Sequence, residues 1–257
     1  MMILAMDIGN TNIVIGGFER DRLVFRTSLS ADINRTEDEY ATLLLGVLSL
    51  YGVERDRIRG AIIASVVPPL NTVVRKAVAF LCGIEALIVG PGIRTGINIH
   101  CDIPSSVGAD IICACVAAHT LYGSPSLVID MGTATKMMVM SRNGAFVGVS
   151  IIPGVQTGLD ALVEKTAQLP KVSLEAPRSV IGKNTADCMK SGVVFGNASL
   201  VDGMIDRIRE ELGEEIPVYA TGGFAPMVIG YCRHRIRVDE HLVLKGLYII
   251  YKKNNEK

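Results

Sequence analysis

Tryptophan is absent from this 257-residue sequence, and aromatic residues make up only 5% of it. Few flat rings are therefore available to stack on the bases of single-stranded nucleic acid. The sequence also lacks a surplus of either charge, because 26 basic residues balance 26 acidic ones and the formal net charge is zero. A balanced chain has no strong electrostatic attraction to nucleic acid or to an anionic membrane. We therefore expect no nucleic acid among its partners.

Long hydrophobic runs and clustered metal ligands are missing as well. The apolar residues 1–6 end at Asp7, and this run is shorter than the ~7–15 apolar residues of a signal peptide. No uninterrupted apolar run approaches the ~20 residues that span a membrane. The six cysteines form no CxxC pair and no zinc-type cluster with histidine, so we expect reduced, structural thiols. These absences together predict a cytoplasmic protein without a membrane partner.

The sequence does contain one pattern twice, which is a buried strand, an Asp-x-Gly turn, a second strand, a hairpin turn and a third strand. The predicted strands lie at 3–6, 13–18 and from 23 in the first copy, and at 127–129, 137–140 and 145–152 in the second. The Asp-x-Gly turns are residues 7–11 and 130–135. In the second copy, Asn143 and Gly144 form a strong hairpin signal. We interpret the repeat as two similar halves.

Each copy is followed by alternating helices and strands, which indicates an α/β protein. Thr36 and Glu39 match a capping box at the start of the first helix. Further predicted helices begin at 68 or cover 109–121, 158–169, 185–195, 200–212 and 242–251. The run Gly123-Ser124-Pro125 is a natural boundary. The predicted lobes are 1–124 and 125–257.

The two acidic glycine turns suit phosphate chemistry. Gly lets the backbone approach an anion, consecutive N–H groups can bind that anion, and the carboxylate can hold Mg²⁺. A third glycine element, Gly222-Gly223, follows a predicted strand and could lie against a nucleoside. The sequence contains no GxxxxGK[ST] loop and no GxGxxG after its first strand, which disfavours the two commoner nucleotide folds. The sequence therefore predicts ATP bound by both halves.

The motifs along the chain resemble one family in particular. They are Asp7-Ile8-Gly9-Asn10-Thr11-Asn12, Gly90-Pro91-Gly92-Ile93-Arg94-Thr95-Gly96, Pro104-Ser105-Ser106-Val107-Gly108-Ala109-Asp110, Asp130-Met131-Gly132-Thr133-Ala134-Thr135, Pro153-Gly154, Ile181-Gly182-Lys183-Asn184-Thr185 and Ala220-Thr221-Gly222-Gly223. In this order they resemble the type III pantothenate kinases, within the acetate kinase, sugar kinase, Hsp70 and actin superfamily. The match runs from about residue 2 to residue 250, so it covers nearly the whole chain.

The resemblance implies a fold and an activity. The implied fold consists of duplicated ribonuclease H-like (actin-like ATPase) domains, each a mixed five-stranded sheet flanked by helices, with an ATP cleft between them. The implied reaction is the ATP-dependent phosphorylation of pantothenate to 4′-phosphopantothenate, the first step of coenzyme A biosynthesis, with Mg²⁺ and K⁺ or NH4⁺ as cofactors. The lobe 1–124 would carry the pantothenate pocket, and 125–257 would carry the adenosine site and the interface of a homodimer.

The resemblance also implies roles for particular residues. Asp110 would be the catalytic base, Asp7 would bind Mg²⁺, and Asp130 would bind K⁺ or NH4⁺. The implied ATP-binding residues are Asp7, Ile8, Gly9, Asn10, Thr11, Asn12, Ile13, Val14, Thr133, Gly222 and Gly223. The implied pantothenate-binding residues are Cys101, Gly108, Ala109, Asp110, Ile111 and, from the second subunit of the dimer, Thr185.

Three positions depart from the family pattern. Ile111 replaces an arginine, Cys101 replaces a tyrosine, and Lys136 replaces a threonine or similar residue at the end of the second turn. Losing a charged hydrogen bond to the pantothenate carboxylate costs about 1.5–3 kcal/mol, roughly ten- to a hundredfold in binding. Lys136 is either a substitute for the lost cation or a solvated loop lysine. Two alternatives to pantothenate phosphorylation therefore stay open, namely an ATP-binding regulatory homologue and a kinase for another small alcohol.

Overall fold

The computed structural model describes residues 1–255, which divide into two compact units. The first unit contains residues 1–122 and the last helix of the chain, and the second contains residues 123–241. Residues 256 and 257, which end the predicted second lobe, lie outside the described part. Within residues 1–255, every helix is too short or too polar to cross a lipid bilayer.

The described residues form eleven strands and seven α-helices. The strands are β1 (Met2–Ile8), β2 (Asn12–Glu19), β3 (Arg22–Ser30), β4 (Ile58–Ser65), β5 (Leu87–Ile88), β6 (Asn98–Ile99), β7 (Ser126–Met131), β8 (Ala134–Met140), β9 (Ala145–Pro153), β10 (Val218–Thr221) and β11 (Ile236–Val238). The helices are α1 (Glu37–Leu50), α2 (Pro68–Cys82), α3 (Ala109–Tyr122), α4 (Val155–Glu164), α5 (Thr185–Leu212), α6 (Ala225–Ile229) and α7 (Leu242–Asn255).

The first unit is built on a mixed sheet with the strand order β3-β2-β1-β4-β5. Strand β1 is antiparallel to β2 and parallel to β4, and helices cover both of its faces, so its side chains are almost all buried. Alternation along the strand sends Leu4 and Met6 into the core with α1 and α2, whereas Ala5 packs with α3 and α7. Asp7 therefore lies on the face of the sheet that α3 and α7 cover.

The second unit repeats this arrangement. Five of the six strands in its sheet lie in the order β9-β8-β7-β10-β11, with β7, β8 and β9 antiparallel and β10 parallel to both β7 and β11. Three antiparallel strands followed by two parallel ones is the order of the first sheet, so the predicted duplication of a mixed sheet is confirmed, but the second sheet has six strands instead of the predicted five. Leu127, Ile129 and Met131 enter the core with α4, α5 and α6. Alternation places Asp130 on the opposite face of β7.

The last helix packs with the first unit, which differs from the predicted lobe of residues 125–257. Leu244, Leu247 and Ile250 of α7 share a core with the first sheet and α3. Gly246 makes this docking possible, because a Cβ there would lie 2.5 Å from the carbonyl carbon of Cys113 in α3. The chain order gives no sign of this long-range contact, so a division at one boundary could not include it.

Two predicted helices differ from those observed. The segments 185–195 and 200–212 belong to the single 28-residue helix α5, which continues through Gly196 and Asn197. Asn197 stays compatible with the helix because its side-chain amide donates to the carbonyl oxygen of Val193 at 2.7 Å. The helix predicted at 158–169 is α4, which starts earlier, after the N-cap residue Gly154, and ends at Glu164. The predicted capping box of Thr36 and Glu39 is confirmed at the start of α1.

Candidate functional site

The first acidic glycine turn connects β1 to β2. The Gly9 N–H donates to the carbonyl oxygen of Asn12 at 2.9 Å, and a Cβ at Gly9 would lie only 3.3 Å from that same oxygen. The side chains of Asn10, Thr11 and Asn12 are exposed. A tight turn with exposed amide and hydroxyl groups can present its backbone N–H groups to an anion.

Some predicted ATP contacts in this region have side chains that point into the core. Ile8 and Ile13 are 0% and 1% exposed and pack in the main cluster of the first unit, whereas Val14 is half-buried. Their side chains serve to anchor the turn on the sheet. Any ligand contact from Ile8 or Ile13 must therefore be made by the backbone.

Asp110 lies in the first turn of α3, where a negative charge is favoured. Its Oδ1 accepts a hydrogen bond from the Ile111 N–H at 2.8 Å. A Cβ at Gly108 would lie 2.6 Å from the same Oδ1 and 3.6 Å from Val66, which follows β4. Gly108 therefore leaves room for the Asp110 carboxylate beside the end of β4, and a larger residue there would displace it.

The structure brings the predicted base and the predicted Mg²⁺ ligand into one neighbourhood. Asp7 lies on the sheet face that α3 covers, and Cys113 of α3 is buried in the core on that face. Burial raises the pKa of the Cys113 thiol well above its usual value, and the Asp7 and Asp110 carboxylates raise it further. Both carboxylates therefore act on the same buried thiol. These are the two residues to which the resemblance assigns the base and the Mg²⁺ ligand of phosphoryl transfer.

Two of the three positions that depart from the family pattern, Ile111 and Cys101, carry no charged side chain. Ile111 follows Asp110 in α3 and is 6% exposed. Cys101 and Ala109 are half-buried, Cys101 in the loop after β6 and Ala109 as the first residue of α3. An isoleucine or a thiol cannot supply the bidentate, charged donor that an arginine offers to a carboxylate.

The second acidic glycine turn connects β7 to β8 and is held by the start of α4. The Thr133 carbonyl oxygen accepts hydrogen bonds from the Gly154 N–H at 3.2 Å and from the Thr157 hydroxyl at 2.7 Å. A Cβ at Gly154 would lie 2.7 Å from the Thr133 carbonyl carbon, so glycine is needed at this contact. These contacts make the turn a rigid element.

The third glycine element packs directly against the second turn. Gly222 has a φ of +92°, and a Cβ there would lie 2.6 Å from backbone atoms of Met131. The Phe224 N–H donates to the Met131 carbonyl oxygen at 3.2 Å, and Thr221 pairs with Asp130 in the sheet. The structure thus brings the Gly222-Gly223 loop to the turn that contains Asp130 and Thr133. The resemblance assigns Thr133, Gly222 and Gly223 to ATP and Asp130 to K⁺ or NH4⁺.

Lys136 makes an ion pair with Asp130. The Lys136 Nζ lies 2.7 Å from the Asp130 Oδ2, and the two side chains are 14% and 13% exposed. Lys136 is in β8, directly opposite Asp130 in β7. The interpretation of Lys136 as a solvated loop lysine is therefore wrong. Removing one partner of a fully buried pair typically costs about 3–5 kcal/mol, because the other charge is left uncompensated. Both side chains here keep some exposure, so the expected cost is smaller.

Thr185 is the exposed first residue of α5, a separate part of the second unit. Asn184 caps this helix by accepting from the Asp187 N–H at 2.9 Å. Sequence reasoning missed a surface cavity of about 470 Å³ beside it, whose lining includes Arg178, Lys183 and Lys190. Much of the lining comes from a segment without regular secondary structure, so no periodic pattern could reveal it.

The described part of the chain has no metal site formed entirely by protein side chains. Residues 1–255 contain no cluster of three or more His, Cys, Asp or Glu side chains that could hold a metal ion. Mg²⁺ commonly binds through one or two carboxylates while phosphates and waters complete its shell. Asp7, beside an exposed anion-binding turn, fits a Mg²⁺ ion that arrives with a nucleotide.

Comparisons with known proteins agree with this geometry. The family model of the type III pantothenate kinases matches residues 3–207. The type III pantothenate kinase of Brevibacillus brevis is 40% identical over 253 residues, which are 98% of this chain and 99% of that protein. That of Dehalococcoides mccartyi is 41% identical over 252 residues, 98% of each chain.

Solved structures show the same fold at much lower identity. Component A of (R)-2-hydroxyglutaryl-CoA dehydratase from Acidaminococcus fermentans is 16% identical, with complete coverage of both chains (100% each) and a TM-score of 0.60. Likeness at this identity concerns the fold alone. The chain has the actin-like ATPase fold that the sequence predicted.

Proposed function

Because the chain belongs to the type III pantothenate kinase family, we propose that it transfers the γ-phosphoryl group of ATP to the hydroxyl of pantothenate, forming 4′-phosphopantothenate. This reaction is the first step of coenzyme A biosynthesis. The observation that carries the proposal is the 40–41% identity to curated kinases over 98% of the chain. It covers all the motifs described above.

The proposed base is Asp110. Its carboxylate takes the proton of the acceptor hydroxyl while that oxygen attacks the γ-phosphorus. The Ile111 N–H, which donates to Oδ1 at 2.8 Å, orients the carboxylate. Gly108 supports this role because it leaves space beside the same oxygen. Phosphoryl transfer asks little more of the protein than such positioning and charge neutralisation.

The proposed ATP contacts come from the glycine turns. Asp7 holds Mg²⁺, which neutralises phosphate charge when it is bound, and the turn that begins at Gly9 offers its N–H groups to phosphate oxygens. Thr133 and the Gly222-Gly223 loop contribute the contacts of the second unit, and the loop packs on Met131 of the turn that contains Thr133. The contacts that we assign to the first turn are Asp7, Ile8, Gly9, Asn10, Thr11, Asn12, Ile13 and Val14.

The acceptor pocket supports a second candidate function. We assign Gly108, Ala109, Cys101 and Ile111 to this pocket, and Ile111 is apolar and 6% exposed. A pocket that lacks the usual arginine favours an acceptor alcohol without a carboxylate. The second candidate is therefore a kinase of the same mechanism with altered acceptor specificity.

The residues of this chain do not fit a dissolved K⁺ or NH4⁺ ion at Asp130. The Lys136 ammonium lies 2.7 Å from one oxygen of that carboxylate. Another monovalent cation about 4 Å from the ammonium would be repelled by about 4 kcal/mol at the effective dielectric constant near a protein surface. The proposed mechanism therefore routes no step through K⁺ or NH4⁺.

We also propose a homodimer in the cytoplasm. The exposed apolar residues Val180 and Ile181, which are 65% and 78% exposed, support an interface near Thr185 at the start of α5. In such a dimer, Thr185 contributes to the pantothenate pocket of the other subunit. Consumption of ATP supports the cytoplasm as the compartment of the reaction.

Mass spectrometry of the products tests the proposal. Purified protein receives ATP, Mg²⁺ and pantothenate in KCl buffer, and 4′-phosphopantothenate is measured over time. Asp110→Asn should lower turnover by about 10²–10⁴-fold, the usual contribution of a general base. The matched control is Asp102→Asn, an exposed carboxylate in the loop before α3, and it should keep normal turnover.

Three results would contradict the proposal. Equal losses in the Asp110→Asn and Asp102→Asn variants would remove Asp110 as the base. Phosphorylation of pantothenate only after Ile111→Arg would favour the altered-acceptor candidate instead. ATP consumption with neither pantothenate nor any other alcohol phosphorylated would exclude both candidates.

A further inference from the structure

The strand register of the second unit places a positive charge on the Asp130 carboxylate. Asp130 and Lys136 are directly opposite each other in the antiparallel pair β7–β8, and opposed residues share a sheet face. Their ion pair is 2.7 Å long. We propose that the Lys136 ammonium is a built-in monovalent cation of the second phosphate turn, so that this kinase needs no dissolved K⁺ or NH4⁺.

The duplicated fold supplies an internal comparison. In the first unit, the residue opposite Asp7 in the antiparallel pair β1–β2 is Val14, which carries no charge. The second unit has Lys136 at this place. A lysine is therefore not a requirement of the turn, of the sheet or of its register. The charge is a specific feature of the second turn.

Burial and tethering favour the ammonium over a dissolved ion. Lys136 and Asp130 are 14% and 13% exposed, so water screens the pair weakly. The backbone of β8 holds the ammonium at its partner, whereas a dissolved ion would have to be captured from solution at an entropic cost. A second cation would also meet the like charge of Lys136. The charge state of the turn is then constant at any K⁺ concentration.

The contacts around Asp130 link the charge of Lys136 to the turn that we assign to ATP binding. Asp130 is continuous with the turn whose Thr133 carbonyl accepts from Gly154 and Thr157. The Gly222 loop packs on the adjacent Met131. Lys136 neutralises the charge of Asp130. Phosphate oxygens that approach the turn are then not repelled by the Asp130 carboxylate. Lys136 is thus a positioning residue that acts through Asp130.

The test measures ATP affinity and turnover in different chloride salts. This inference rests on the proposed function, because it assumes that the second turn binds ATP. ATP·Mg²⁺ binding is measured by calorimetry, without pantothenate, in KCl, NH4Cl, NaCl or tetramethylammonium chloride at equal ionic strength. Turnover is measured in the same salts. The wild type should give the same ATP affinity and turnover in all four, within twofold.

The variant Lys136→Thr should acquire a cation requirement. Losing one charged hydrogen bond lowers binding by roughly ten- to a hundredfold, so its ATP affinity in tetramethylammonium chloride should fall by that factor. KCl or NH4Cl should restore it, because the ion then occupies the place of the ammonium. The control is Lys76→Thr, whose exposed ion pair with Glu37 lies outside the site, and it should respond to no salt.

Several outcomes would overturn the inference. If the wild type bound ATP at least tenfold more tightly in KCl than in tetramethylammonium chloride, the inference would be wrong. This measurement does not depend on whether any variant folds. The inference would also be wrong if Lys136→Thr bound ATP with normal affinity in all salts, or if neither KCl nor NH4Cl restored its lowered ATP affinity. Lys136→Gln, which keeps a polar side chain, repeats the test if the threonine variant is unstable. If ATP binds as expected but pantothenate is not phosphorylated, the proposed function fails while this inference stands.

Discussion

Gly246 allows α7 to approach the backbone of α3, and Gly246→Ala should disturb both stability and catalysis. A Cβ at this position would lie 2.5 Å from the carbonyl carbon of Cys113 and 3.0 Å from its Cα. Ordinary contact for a Cβ begins near 3.4 Å, so the carbonyl carbon alone requires the helices to separate by about 0.9 Å, the difference between 3.4 and 2.5 Å, and the Cys113 carbonyl oxygen, which is nearer still, requires more. The obstacle is backbone, which cannot rotate away as a side chain can.

The size of the effect follows from this geometry. Overpacking a close contact costs about 1–3 kcal/mol, whereas alanine regains about 1 kcal/mol of helix propensity. Because the clash involves backbone, we take the upper end and expect a net loss of about 2 kcal/mol, or roughly 4–8 °C in melting temperature for a chain of this size. Asp110 lies in the first turn of the displaced helix α3, and a misplacement of about 1 Å can cost about a hundredfold in rate.

Thermal unfolding and the kinase assay check these two effects. The matched control is Gly46→Ala in α1, where the added Cβ would have no described atom within 4 Å. That variant should gain up to about 1 kcal/mol and keep normal turnover, since only the helix propensity changes. The same substitution in two helices of one unit is thus expected to have opposite signs.

Two results would refute this reasoning. If Gly246→Ala melted at or above the wild-type temperature, the approach of α7 to α3 would not be a constraint. If stability fell but turnover stayed normal, the proposed link from α7 through α3 to Asp110 would be wrong.

Two further predictions concern the first cap and the thiols. Thr36→Ala should lower stability by about 1 kcal/mol. The reason is that the Thr36 hydroxyl accepts a hydrogen bond from the Glu39 N–H at 3.3 Å in the capping box of α1. Thermal unfolding measures this loss of stability. Ellman's reagent should modify the exposed Cys188 in the native protein but react with Cys113 and Cys115 only after denaturation. Both of these cysteines are buried, and burial raises the pKa of each thiol well above its usual value.

Each of these two predictions has its own control. Thr42→Ala removes an exposed hydroxyl that donates to the Asp38 carbonyl oxygen inside α1, and it should leave the melting temperature almost unchanged. An equal loss in both threonine variants would contradict the capping argument. For the thiols, Cys188→Ser should abolish the fast native reaction, and persistent fast labelling of that variant would show that another cysteine is accessible.

Much of the candidate site could be predicted because its signals are local. The turns after β1 and β7 combine an acidic residue with a glycine immediately after a buried strand, and the hydrophobic pattern of that strand is visible in the sequence. The capping box of Thr36 and Glu39 spans four consecutive positions, so it too could be recognised without a structure. The repeated order of these local signals predicted the duplication of the sheet.

Other features depend on residues far apart in the chain. The docking of α7 on α3 joins Gly246 to Cys113, and the loop at Gly222 packs on Met131. The packing of α3 against the first sheet is another such feature, and it brings Asp110 near the strand that carries Asp7. The low intrinsic helix propensity near Gly196 predicts two helices where the structure has the single helix α5. Tertiary packing stabilises the helix across this position.

The sequence by itself determined the two acidic glycine turns, the strands that carry them and the family to which the chain belongs, since all of these follow from residue types at short, fixed spacings. The tertiary structure alone decided that Lys136 lies on Asp130, because the register of β7 and β8 brings the ammonium to the carboxylate. It also decided that Ile111 is buried and that α7 belongs with the first unit. Such facts depend on which surfaces meet when the chain packs, and local pattern does not contain that information.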